Sequence, residues 1–349
     1  MAVYKIFPTK DATLYSQYPA QNTGLDQVLE ASSYDFRGIR YKSRYLMQFS
    51  TTEIQNVVDT KTVGSWVSYL KTYNAATSGL SIDTNLYFYT VSGSWEMGTG
   101  ILNSNPPVNN GVSWDYKDVS GSIRWDNEGG DYNLSPVYSQ SFTYTSPIDI
   151  NINVTNTVET WYSGSPNNGF LVKLTSSIEN IDNINIQPIF KYFSIDTNTI
   201  YPPYLEFKWS DYSFDTGSST NTILSTPESF ISIYNNAGVY YSESIPRFRL
   251  AAIPKYPDRQ FITASYYTEN YYLPESQSLY AIKDSSTNEF VIDFDSNYTR
   301  ISADATSSYF DVYMNGLEPE RYYTILIKTV VGGVTKVWDE NIMFKIEKG

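Results

Sequence analysis

The chain contains no cysteine and no histidine. Without thiols no disulfide can form, so stability rests on packing alone. Without imidazole the commonest general base is missing. Thiol nucleophiles and Ser-His-Asp triads are excluded, and zinc or transition-metal sites nearly so. What remains is chemistry by carboxylates, by Tyr, Lys or Arg acting alone, or by oxygen-ligated Ca²⁺ or Mg²⁺. Basic residues are also scarce: 24 Lys and Arg face 37 Asp and Glu, a formal net charge of −13. Nucleic-acid binding needs a basic footprint to displace phosphate counterions, so this balance disfavours it, as it does anionic membranes. The densest basic group is Arg37, Arg40, Lys42 and Arg44. It reads as a strand edge with a solvated charged face.

Long apolar runs are absent too. None approaches the roughly 18 residues needed to cross a bilayer. The start, Met1 to Pro8, has no basic region followed by an apolar stretch and is not a secretory signal. The chain is expected to be soluble and unprocessed, with no membrane insertion. Helical signals are few. Ser50-Thr51-Thr52-Glu53 caps an amphipathic turn or two that Gly64 breaks.

Tyrosine is what the chain has instead: 33 Tyr outnumber all Lys and Arg. Its ring packs on pleated, half-buried surfaces, and its hydroxyl suits interfaces. Strand signals are everywhere. Leu86 to Val91 is a continuous aromatic-rich run, Arg44 to Phe49 reads as a core strand, and Ile148 to Val154 and Phe290 to Phe294 alternate. At the end, strands Tyr322–Ile327, Val334–Trp338 and Ile342–Ile346 are expected, separated by turns at Gly332-Gly333 and Asp339-Glu340-Asn341. The composition is all-β.

Two stretches read as long loops. Gly93 to Asp131 holds seven of the 19 Gly together with Trp95, Trp114 and Trp125. These three indoles either staple the loop onto a sheet or form an aromatic contact platform for a glycan or a protein partner. The second stretch, Asp211 to Ser229, has linker composition. A boundary there divides the chain into domains 1–210 and 230–349, with 211–229 as linker. Oxygen ligands at Asp293, Asp295 and Asn297, and at Asp126, Asn127, Glu128 and Asp131, are the places where calcium could bind. The first lacks the central Gly and distal Glu of an EF-hand, and a solvated strand end or Asx turn is the favoured reading of it. No cofactor is otherwise expected. Acidic pairs suited to glycoside hydrolysis are not singled out by any surrounding motif, so the chain is expected not to be an enzyme.

The order of features from Lys10 to Trp209 carries a resemblance. It runs Lys10-Asp11-Ala12-Thr13-Leu14-Tyr15, Asn22-Thr23-Gly24, Arg44-Tyr45-Leu46-Met47-Gln48-Phe49, Gly93-Ser94-Trp95, Gly111-Val112-Ser113-Trp114, Trp161-Tyr162-Ser163-Gly164, Asn168-Gly169-Phe170 and Pro202-Pro203-Tyr204. This resembles the DNRLRE-type domain, a jelly-roll β-sandwich of extracellular bacterial proteins related to carbohydrate-binding modules. Ser43-Arg44-Tyr45-Leu46 stands in place of the name-giving motif, so no ligand site is carried over. Phe193 to Pro203 and Asn315 to Tyr323 are similar to segments of virion structural proteins in contractile-tailed phages of marine bacteria. Leu317-x-Pro319-x-x-Tyr322 looks like the corner of an immunoglobulin or fibronectin type III sandwich, where a Tyr bonds back to nearby backbone.

The expectation is therefore an N-terminal jelly-roll β-sandwich followed by a smaller immunoglobulin/fibronectin-III-like β-sandwich. The resemblance implies a structural component of a tailed phage particle, in the tail, baseplate, neck or head decoration. It would be located in the virion and act by protein–protein docking with other virion proteins, and a homo-oligomer is expected. The alternative is a carbohydrate-binding adhesin recognising host surface glycan through Trp95, Trp114 and Trp125.

Overall fold

The computed structural model describes residues 2–80, 82–143, 148–219, 221–256 and 270–349. Strands make up 45% of it and helix 8%, with curled sheets in a sandwich-like arrangement, so the chain is all-β. Residues 257–269, within the domain expected over 230–349, lie outside the described residues. The chain divides into two units. The larger holds residues 6–61 and 67–206, and the smaller holds residues 1–5, 62–66 and 207–349.

In the larger unit an eight-stranded sheet runs in the order Tyr132–Phe142, Thr84–Val91, Phe170–Leu174, Ile39–Phe49, Val28–Phe36, Ile189–Phe193 and Asn74–Ser78. Pro8–Tyr15 also pairs with Ile39–Phe49. Most neighbours are far apart in sequence, so register rests on burial of side chains on alternate positions. One face packs aromatic pairs such as Tyr45 with Tyr192 and Phe142 with Phe190, ring centroids 6.0 and 5.0 Å apart. Phe170–Leu174 is buried at every position, as a strand covered on both faces must be. It can start against Met47 because Gly169 has a φ of +84°, and any Cβ there would collide with the Met47 carbonyl. The expected helix is Thr51–Thr60, and Ser50 caps it by accepting from Glu53 N–H at 3.2 Å.

The smaller unit pairs a sheet of Ser229–Ile233, Arg247–Pro254, Ser308–Asp311 and Ser302–Ala303 with a second sheet. The second runs Val239–Tyr241, Val334–Glu347, Tyr322–Val331, Ser278–Asp284 and Phe290–Ile292. Phe248 and Phe310 from the first meet Tyr280, Tyr323 and Phe344 from the second in one buried cluster. Tyr280 stacks on Phe310 at 4.3 Å.

Three local expectations change. The stretch 211–229 is not a free linker but part of the smaller unit. Leu224 is buried in its core, Leu224 N–H donates to Tyr272 at 2.8 Å, and Phe214 bridges to Ala303. Single apolar residues in a polar segment were enough to anchor it. Asp339-Glu340-Asn341 is not a turn between strands. Val334–Glu347 is one 14-residue strand whose pairing with Tyr322–Val331 shifts register between Ile325 and Ile327, with Asn341 at a φ of +53°. This is a bulge, which accommodates polar residues without ending the strand. Finally, the corner tyrosine is Tyr323, not Tyr322. Its hydroxyl donates to the Glu318 carbonyl at 3.0 Å, while Tyr322 is 54% exposed. Adjacent residues on a strand point to opposite faces, so a one-residue offset decides which ring enters the core.

Candidate functional site

The indoles of the long loop are placed by what lies beneath them. Trp95, Trp114 and Trp125 are each no more than 7% exposed and pack into one cluster with Ala12, Leu14, Leu46, Val91, Val112 and Leu171. Trp95 Nε1–H donates to the Asn168 carbonyl and Trp125 Nε1–H to the Ser113 carbonyl, both at 2.9 Å. A cation lies over each ring: Lys10 over Trp95 at 5.8 Å, Arg44 over Trp114 at 5.1 Å and Lys117 over Trp125 at 5.5 Å. These rings are staples and leave no platform for a ligand. Asn22 completes the attachment. Fully buried, it donates to the carbonyls of Met97 and Val112, both at 2.7 Å, and accepts from Gly24 and Gly100 N–H at 3.1 and 2.7 Å. A side-chain amide with every hydrogen-bonding atom engaged in a dry site is a strong positional clamp.

The face of the sheet beside that loop is more open. Opposite residues in a ladder share a face. Tyr89 faces Leu171, and Tyr87 faces Lys173. Tyr87 and Tyr89 stack with centroids 6.1 Å apart at 17°, and Tyr132 approaches Tyr89 at 4.5 Å. Sequence reading took Leu86 to Val91 only as a strand. The signal was its alternation: Leu86 and Phe88 point into the core, while Tyr87 and Tyr89 stay half-buried.

Below these rings sits a buried charge cluster. Arg44 donates to both Glu179 oxygens, through Nε at 2.9 Å and Nη2 at 2.8 Å. Lys173 Nζ reaches Glu179 at 2.9 Å and lies 5.5 Å from the Tyr132 ring centroid. Two cations thus share one carboxylate, and Lys42 stands close enough to feel both. Lys42 is held below its ordinary value by burial; the charge of Glu179 opposes this and those of Arg44 and Lys173 add to it. The result is a buried charge cluster with one cation in excess of its carboxylate, set beside the Tyr132 ring. Of the basic group around residue 40, Arg37 is exposed as a solvated face requires, but Arg44 is buried and Arg40 donates to the carbonyls of Ile181, Asn183 and Ile186.

A second surface lies in the smaller unit. Val239 and Tyr322 both face Lys345, with Tyr241 and Met343 two residues away along their strands, so the four apolar side chains share one sheet face. All are exposed, Tyr241 most at 58%. Lys345 among them is paired with Glu320 at 2.6 Å and Glu347 at 3.6 Å. An apolar centre with a charged surround has the build of a docking surface.

The two expected calcium positions are closed by other donors. Asp131 accepts from the N–H groups of Asp126 and Asn127 at 2.9 and 2.8 Å, with Lys117 at 3.1 Å. Burial pushes its carboxyl up, but these donors outweigh it and hold it below the ordinary carboxylate value. Asp295 accepts from the N–H groups of Asn297 and Tyr298 at 2.8 and 3.2 Å, with Lys208 at 3.5 Å. The Asp295 arrangement is an Asx-type turn, whereas Asp131 closes the loop back onto Asp126 and Asn127, and each carboxylate has a lysine counter-charge. Among the described residues no three acidic side chains gather as a metal-binding group, and no helix is long and apolar enough to cross a membrane.

No family model matches the chain, and no curated protein matches it.

Proposed function

We propose that the chain is a non-enzymatic structural component of a tailed phage particle, in the tail, baseplate, neck or head decoration, and that it works by protein–protein docking. The observation that carries this reading is the open face of Val239, Tyr241, Tyr322 and Met343 around a paired Lys345. Large apolar side chains on one uncovered sheet face cost solubility unless a partner covers them. Other virion proteins and further copies of the chain are the partners, in a symmetric assembly. The resemblance of Phe193 to Pro203 and Asn315 to Tyr323 to virion proteins supports the same reading. Density for the chain in a cryo-EM map of purified particles, with this face covered, is the expected result. Recovery of the protein only as a free monomer, never with particles, would overturn it.

A second reading, a binder of host surface glycan, now has a different surface. Tyr87, Tyr89 and Tyr132 supply stacking faces. Binding on a glycan array that is lost in Tyr87→Ala, with the circular dichroism spectrum unchanged, is the outcome this reading requires. An array with no signal for the wild-type chain removes it.

A further inference from the structure

The strands Val28–Phe36 and Ile39–Phe49 form a hairpin whose tip stands clear of the sheet. Phe36 pairs with Ile39, so two residues make the turn, Arg37 at a φ of +55° and Gly38 at +79°. Positive φ at both central positions is the type I′ turn, which Asn-Gly or Asp-Gly fills without strain. Residues 36–39 are all exposed, Phe36 at 49% and Ile39 at 56%. A Cβ added to Gly38 would meet nothing within 4 Å. The Arg37 guanidinium lies 5.1 Å from the Phe36 ring centroid and is paired with no carboxylate among the described residues. The tip is thus a knob of two large apolar side chains with one surplus positive charge.

The open face of the smaller unit has the opposite sign. Val239, Tyr241, Tyr322 and Met343 surround Lys345, which two carboxylates share, Glu320 at 2.6 Å and Glu347 at 3.6 Å. Beyond them exposed Glu243 and Lys348 offset each other. One negative charge is left in excess, against the one positive charge of the tip. The backbone marks the same two residues. Of the seven non-glycine residues with positive φ among the described residues, five are Asn or Ser, the small residues that turns favour. The other two are Arg37 and Glu320, at +55° and +62°. Holding a long charged side chain in that region is strained, and strain kept at an exposed position points to a role for the side chain.

Charge also decides between the ways two copies could meet. Face to face would set two negative rims together, and tip to tip would set two arginines together; like charges so placed cost affinity. Tip to face brings opposite charges together and covers large apolar side chains from both sides.

We propose that the partner on the open face of the smaller unit is a second copy of this chain, whose tip Phe36–Ile39 docks there with Arg37 set against Glu320. This rests on the docking reading above and names its partner. The contact joins two different patches, so each copy keeps a free tip and a free face, and copies add into a ring or a filament. A tip of this size makes a small contact, so association rises with concentration.

The absence of cysteine makes the test direct, because any disulfide must join engineered positions. Full-length Ile39→Cys and Met343→Cys chains are mixed, oxidised with diamide at rising concentration, and resolved by non-reducing electrophoresis and mass spectrometry. The expected product is the mixed dimer, exceeding either homodimer by roughly tenfold or more. Arg37→Glu in the Ile39→Cys chain should cut that yield by a similar factor. Glu320→Arg in the Met343→Cys chain should then restore it, a rescue that a misfolded chain could not give. No mixed dimer, or homodimers in equal yield, overturns the proposal. So does a yield that Arg37→Glu leaves unchanged. The docking reading is judged separately, by particle entry of Tyr241→Ser. Exclusion of that variant with no mixed dimer overturns self-docking alone and assigns the face to another protein. Normal entry overturns the docking reading, even where the mixed dimer forms.

Discussion

In the larger unit the face that carries Leu14, Leu46 and Leu171 lies under the stretch from Gly93 to Asp131. In the smaller unit the face that carries Val239, Tyr241, Tyr322 and Met343 is open to solvent. Covering a sheet with irregular chain is demanding, since every loop carbonyl and N–H needs a partner. The larger unit meets that demand with three indoles, the Asn22 clamp and Arg44 bonded to the Gly129 carbonyl at 3.0 Å. Its cost is buried charge. The smaller unit keeps its arginines near the surface, paired as Arg247 with Asp311, Arg249 with Asp304 and Arg321 with Asp284. A sequence change should therefore act mainly on stability in the first unit and mainly on docking in the second.

The strongest challenge to that contrast is Glu179→Leu. It leaves Arg44 and Lys173 buried without their carboxylate and should cost about 3–5 kcal/mol. Denaturant unfolding measures it, and a loss under about 1 kcal/mol would show that the cluster is solvated. Trp114→Ala empties an anchored site under the loop and should cost a similar ~3–5 kcal/mol. Proteolysis within residues 93–131 should become fast in that variant while the smaller unit stays resistant.

The pH response sharpens the comparison because the largest carboxyl shifts run in opposite senses in the two units, with Asp131 in the larger and Glu318 in the smaller running against their own unit's trend. Burial raises Asp11 to about 8. Burial also raises Asp26 to about 6, opposed by the Leu102 N–H and helped by the charge of Glu30. In the larger unit the native state thus holds protons that the unfolded chain releases near pH 4. That contribution is fully present below about pH 4 and is lost as the pH rises through about 6 and then about 8. In the smaller unit, bonding to Arg249 outweighs burial and holds Asp304 below the ordinary value. Asp284 is pushed up by burial, but Arg321 and backbone N–H donors bring it down. Their contribution is present above about pH 4 and is lost as the pH falls through the depressed values. Denaturation midpoints of the two units measured between pH 3 and 9 should slope in opposite directions, and parallel slopes would break the contrast.

Smaller effects test the strand alternation. Tyr323→Phe should cost about 1 kcal/mol through its lost bond to Glu318, while Tyr322→Phe should be nearly neutral. Tyr241→Ser on the open face should change stability by less than about 0.5 kcal/mol. If docking runs through that face, the same variant should fail to enter particles, scored by mass spectrometry of the purified assembly.

The strands themselves were legible because alternation and aromatic content are local signals, and so was the helix that Ser50 caps. The place of the indoles was legible only as a choice between staple and platform, since burial depends on a strand some 80 residues away. The charge cluster was not legible at all. Arg44 and Glu179 are 135 residues apart, and nothing in either neighbourhood marks the other. The tyrosine face escaped for a related reason: Tyr132 and Lys173 join Tyr87 and Tyr89 only when the sheet is assembled.

By itself, then, the amino-acid sequence determined the all-β class, the reliance on packing without disulfides, and the absence of imidazole and thiol chemistry. These follow from residue types and from short-range periodicity. Tertiary structure alone decided which tyrosine turns the corner, which indoles are hidden, and that residues 211–229 belong to a core. Each of those depends on register between strands distant in the chain, where a shift of one residue exchanges the buried face for the exposed one.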